Sequence, residues 1–226
     1  MKKLLICFFF LFILTPYSFA GGGTEILTPT SYVVTVTEID FFNSTTNQWV
    51  TAGTGAQSFD IAAFNSGQKV GDLISGVNLP NGTYTKMRCT LSRDIQIRAY
   101  SNSSGYYTTA TQTPWTGTTN GQEIVLAQSE TPSNNSVTGT FHSPDEADQG
   151  QPAGQSMVPS GSDYFVETWA SPIFTPFTYA AGTGKTLRIN FNVTNTVHFT
   201  YTIPATCHAD APVITITVAD SNSIPG

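Results

Sequence analysis

Charge is what this sequence has least of: Asp, Glu, Lys and Arg together make up 11% of its 226 residues. A helical protein would carry more Glu, Lys, Ala and Leu, so the composition argues against that class and favours strands. Basic residues are the scarcer sign, nine against fifteen acidic ones, and two of the nine are Lys2 and Lys3. Beyond residue 20 the balance is seven against fifteen, a net charge of −8, which makes nucleic acid a poor partner. Also missing there is any apolar run of the roughly 20 residues that a membrane-spanning helix needs. No internal repeat and no zinc-protease helix motif is present.

The one long apolar run opens the chain. Lys2 and Lys3, the stretch Leu4 to Leu14, and Ser18-Phe19-Ala20 supply the three parts of a secretory signal, with cleavage expected after Ala20. Cys7 lies inside the apolar stretch without the small residues that precede a lipid-attachment cysteine, so no lipid anchor is expected. Residues 21–226 then read as one domain, secreted or held at the cell envelope, with no transmembrane segment. They retain two cysteines, Cys89 and Cys207, which an oxidising compartment would be expected to join. In the chain-entropy model, closing so long a loop stabilises a fold by about 4–5 kcal/mol.

What is abundant is Thr, Ser, Asn and Gly, interleaved with short β-branched and aromatic runs. Tyr32 to Phe42 reads as a first long strand, with Gln48 to Thr51 as its hairpin partner. Phe59 to Phe64 fits a strand or a helical turn, and Val70 to Ile74 is another short apolar run. Asn81-Gly82 after Pro80 marks a tight turn, and the strand after it alternates: Met87, Cys89 and Leu91 on one face, Lys86, Arg88 and Thr90 on the other. Ile95 and Ile97 continue that pattern. Ser101 to Ser162 is polar and turn-rich, a loop-rich insertion in which only Ile124 to Leu126 and Val137 to Phe141 resemble strands. Tyr164 to Trp169, Leu187 to Val193, Val197 to Tyr201 and Val213 to Val218 supply the rest. The class implied is all-β: an antiparallel β-sandwich, immunoglobulin-like or prealbumin-like, with long polar loops.

The order Val/Thr strand, Trp49-Val50, Phe59-Asp60-Ile61 and Leu79-Pro80-Asn81-Gly82-Thr83-Tyr84-Thr85 carries a resemblance. Over Tyr32 to Ala99 the chain resembles a bacterial domain of unknown function found in secreted and lipid-anchored surface proteins. The resemblance implies a β-sandwich at the cell envelope; it carries over no catalytic residue and names no ligand.

Motifs for chemistry are weak. Gly182-Thr183-Gly184-Lys185-Thr186 imitates the end of a phosphate-binding loop, but Tyr179 stands where its first glycine belongs and a strand pattern follows Lys185. Gly154-Gln155-Ser156 lacks the last glycine of a nucleophile elbow, since Val158 stands there. Glu123, Glu130, Asp163 and Glu167 could form a glycosidase pair only if folding brought two of them together. Asp145, Glu146 and Asp148, with His142 nearby, are weak calcium candidates, and His198, Cys207 and His208 are weaker still for a transition metal. Tyr106, Tyr107 and Trp115, with Tyr100, could present rings for stacking on a sugar. The expectation is therefore a non-enzymatic surface protein without a cofactor, structural or adhesive. Its partner would be a cell-surface or matrix component, a glycan among them, and its contacts would lie between Ser101 and Ser162. A secreted carbohydrate-binding module is the alternative.

Overall fold

The computed structural model describes residues 23–63, 79–116, 120–144, 153–180 and 185–220, with side chains omitted at 185–189 and 217–220. The proposed leader, Val70 to Ile74 and Asp145-Glu146-Asp148 lie outside the described residues, as does most of the phosphate-loop imitation.

The fold is all-β and the paired strands are antiparallel, as the alternation implied. In chain order the strands begin with β1 Thr24–Leu27, β2 Ser31–Asn43, β3 Gln48–Asp60, β4 Gly82–Ser92 and β5 Asp94–Arg98. Next come β6 Tyr106–Pro114, β7 Gln122–Gln128, the short helix α1 Pro132–Asn135, β8 Gly139–His142, β9 Gln155–Ser160 and β10 Tyr164–Ala170. The last are β11 Phe177–Tyr179, β12 Lys185–Asn192, β13 Val197–Thr200, β14 Thr206–Ala209 and β15 Val213–Asp220. Thirteen of them form one sheet along the path β1-β13-β14-β7-β8-β5-β2-β4-β10-β9, with β3 beside β2, β6 beside β7 and β11 beside β4. β12 and β15 pair separately. Among the described residues no helix is long and apolar enough to cross a membrane.

Side-chain alternation divides this sheet into an inner and an outer face. The inner residues form two clusters. In one, Ile39, Phe41, Met87, Cys89, Phe165 and Trp169 pack against Phe174, Tyr179 and the β15 residues Ile214 and Ile216, so the small sheet lies over β2, β4 and β10. In the other, Tyr32, Ile95, Ile97, Ile124, Phe141, Val197, Phe199 and Cys207 meet from β2, β5, β7, β8, β13 and β14. Phe59 and Phe191 touch both clusters.

Arg93 is where the sheet passes from one cluster to the other. It interrupts what would otherwise be one long strand: β4 before it pairs with β10, β5 after it pairs with β8, and both run along β2. The residue is fully buried, yet the two outer nitrogens of its guanidinium find carbonyls. Nη1 and Nη2 donate to Ser162 O at 3.3 Å and Pro144 O at 2.9 Å. Its N–H donates to Asp163 O, and its own carbonyl accepts from Ser143 N.

Two sequence readings are corrected here. In the stretch Ser101 to Ser162, where the sequence suggests only Ile124 to Leu126 and Val137 to Phe141 as strands, β6 and β9 are strands as well; they carry mostly Thr, Gln, Ser and Pro, and so lack the apolar alternation that marks a strand. The expected Cys89–Cys207 bridge is not formed: both cysteines are free and buried. Cys89 lies between Ile39 and Glu167 in the first cluster, and Cys207 between Phe199 and Ile124 in the second. A disulfide needs Cα atoms within about 7 Å, and these two serve different cores.

Candidate functional site

The start of β2 and the end of β5 meet at one corner, with Ser31 opposite Arg98. Thr30 fastens the corner by donating its N–H and its Oγ1 to Arg98 O, at 2.8 and 3.0 Å. Asp60, the last residue of β3, closes the floor. Its Oδ2 accepts from Ser31 Oγ at 2.7 Å, and its Oδ1 from the N–H groups of Tyr32 and Ala62 at 3.0 and 3.1 Å. That carboxylate is occupied in holding strand ends.

The opposite wall is α1 and the residues after it, within the polar stretch expected to carry contacts. Ser136 is buried; its Oγ donates to Ser133 O and accepts from Arg98 Nε, both at 3.1 Å. The Arg98 guanidinium is thus held at one nitrogen, while the side chain as a whole is exposed. Tyr100, Ser133 and Thr138 complete the lining of a shallow polar groove. The Nη1 and Nη2 groups of Arg98, the Tyr100 hydroxyl, Ser133 Oγ and Thr138 Oγ1 have no hydrogen-bond partner among the described residues. The groove therefore offers a guanidinium fork and several hydroxyls to a ligand.

The three aromatic residues singled out from sequence make separate contacts. Tyr106 stacks on Tyr201 with ring centroids 4.7 Å apart. Trp115 packs edge-on to Phe141 and stacks on His208 at 4.8 Å, and His208 stacks on His198 at 5.0 Å. Tyr106 and Trp115 bracket β6, so roughly 30 Å of strand at most separates them. Tyr107 bridges to Tyr100, beside the groove.

The histidines and carboxylates are brought together in pairs. His198 Nε2 lies 2.7 Å from Asp210 Oδ2, His208 Nδ1 3.1 Å from Glu123 Oε1, and His142 Nδ1 2.6 Å from Asp94 Oδ1. Among the described residues no three His, Cys, Asp or Glu side chains gather as metal ligands would. Cys207 is in any case a poor thiolate, because burial and the nearby Glu123 push its pKa up. Glu167 is buried against the first cluster and accepts from Gln155 Nε2. Glu123 belongs to the second cluster's side, and Glu130 and Asp163 are exposed on turns. The four carboxylates named from sequence thus stand on separate elements.

Sequence reading missed Arg98, Ser133, Ser136 and Thr138. Arg98 reads as the wet side of an alternating strand, and nothing in a run of Ser and Thr marks which hydroxyls will face a groove.

The chain belongs to the family described as Domain of unknown function (DUF4382), whose model matches residues 29–202. The match extends well past Tyr32 to Ala99 into the second half of the chain, and leaves β1, β14 and β15 outside it. No curated protein and no solved structure matches the chain.

Proposed function

For this member of a family without an assigned activity, we propose a non-enzymatic contact role: an exported surface or envelope module that adheres to a polyhydroxylated component of a cell surface or matrix. The observation that supports the reading is the groove beside Arg98. It is built from α1 and the turn after it on one side and from sheet ends on the other, and loops set on a rigid scaffold are where β-domains carry recognition. Hydroxyls without internal partners, flanking a half-buried tyrosine, match what a sugar presents: alternating donors and acceptors on a ring with apolar patches. Thr138→Val combined with Ser133→Ala should weaken retention on cells or on a panel of immobilised polysaccharides by several-fold, with the thermal midpoint unchanged. Retention equal to that of the parent chain on every matrix would sink this reading.

A further inference from the structure

Resting on the reading of the groove as a glycan site, we propose that its ligand is an acidic sugar, whose carboxylate is taken by the outer edge of the Arg98 guanidinium. The donor and acceptor balance of the groove carries this. Its one carboxylate, Asp60, already accepts three hydrogen bonds, from Ser31 Oγ, Tyr32 N and Ala62 N. The groups left over are Arg98 Nη1 and Nη2 and hydroxyls, and the Arg98 nitrogens can only donate. A neutral sugar would leave those N–H groups competing for weakly accepting hydroxyl oxygens. A carboxylate satisfies them in pairs, in the flat two-oxygen geometry that a guanidinium fork matches.

The Arg98 side chain is also set in place beforehand. Ser136 Oγ, buried and fastened to Ser133 O, holds Nε, so that nitrogen is used while Nη1 and Nη2 of this exposed residue have no hydrogen-bond partner among the described residues. Fixing the guanidinium in advance lowers the rotamer entropy that binding would otherwise cost. Thr138 and Tyr100 line the same groove as Arg98 and offer their hydroxyls to the rest of the sugar. The net negative charge of the chain does not forbid an anionic ligand, because exposed charges beyond about 8 Å are largely screened at physiological ionic strength.

The test uses the exported chain in 0.15 M salt, about physiological strength, with three soluble polymers: polygalacturonate, neutral dextran and sulfated dextran, read by affinity electrophoresis or calorimetry. Polygalacturonate should bind best. Arg98→Gln should cost it about tenfold or more, as loss of a charge-assisted pair does, and Arg98→Lys should recover little because a lysine lacks the fork. Thr138→Val, which leaves the Arg98–Ser136 contact intact, should weaken binding with no change in melting and stands in if Arg98→Gln proves unstable. Equal binding of dextran and polygalacturonate would overturn the acidic-sugar assignment and leave the glycan reading standing. A preference for the sulfated polymer, or polygalacturonate binding untouched by Arg98→Gln, would overturn the assignment as well. Binding to none of the three would remove both.

Discussion

Cys89 and Cys207 show how much a residue's meaning depends on its neighbours. Burial, with Glu167 and Asp40 nearby, holds the Cys89 thiol well above the ordinary range, and burial with Glu123 does the same for Cys207. Thiolate is the reactive form, so both should be inert in the native protein. Ellman's reagent should therefore find almost no thiol in a folded chain of residues 21–226 and two after denaturation without reductant; finding none after denaturation would restore the bridge. The Leu-Pro-Asn-Gly-Thr-Tyr motif has an equally local explanation. Tyr84, fully buried, donates its hydroxyl to Pro80 O at 2.7 Å, and Leu79 enters the first cluster. A Cβ on Gly82 would lie 2.4 Å from Asn43 Nδ2. Asn43 cannot withdraw, since its Oδ1 accepts from the N–H groups of Thr45 and Thr46 and so holds the turn between β2 and β3. The motif that carries the resemblance is a structural clasp.

Among the elements, β1 is tied through a single side chain. A terminal four-residue edge strand frays unless it is tied, and Glu25 ties it. Its carboxylate accepts from Tyr201 OH, Ser103 Oγ and Ser104 Oγ. Burial alone would push the Glu25 pKa up, but the hydrogen bonds it accepts, that from Tyr201 foremost, outweigh it and leave the group below its ordinary value. Burial and the bond to Glu25 push Tyr201 up to about 12. The signs follow from linkage. The Glu25 contribution is present above its unfolded value near 4.5 and is lost as pH falls through the lowered folded one. The Tyr201 contribution is complete below pH 10 and is lost as pH rises from 10 to about 12. Hydrogen exchange should find the amides of β1 protected at neutral pH and released at either extreme before the core opens. Tyr201→Phe should cost about 1 kcal/mol and abolish the alkaline step while keeping the ring stack on Tyr106. An alkaline transition unchanged in that variant would place the titration elsewhere.

At the scale of the whole molecule, the sheet is long enough to serve two cores, and two of the aromatic residues that sequence reading marked for binding, Tyr106 and Trp115, pack against the second. Trp115 packs against the second cluster through Phe141 and continues as the row His208 and His198 on β14 and β13. Trp115→Ala should accordingly lower stability by roughly 2–3 kcal/mol, less than a wholly buried tryptophan because the ring is half-exposed. Urea denaturation would check this, and an unmoved midpoint would return Trp115 to the list of free contact residues. Tyr107→Ala, beside the groove and outside the stacks, should move the midpoint much less.

Alternation and composition by themselves determined the class and most of the strands. Met87, Cys89 and Leu91, or Val197 and Phe199, declare a buried face because successive strand residues point to opposite sides. The same logic could not find β6 or β9, whose polar residues sit at the edges of the sheet, where pairing rather than apolar burial holds a strand. Nor could it pair Cys89 with Cys207 or with anything else, because which core a strand faces depends on sheet order. Arg98, Ser136 and Asp60 are distant in the chain and unremarkable in type. Only the tertiary structure decided that they meet, because the run that continues past Arg93 along β2 sets the end of β5 beside the start of β2, where Arg98 meets Ser136, and long-range register of that kind leaves no mark on local sequence.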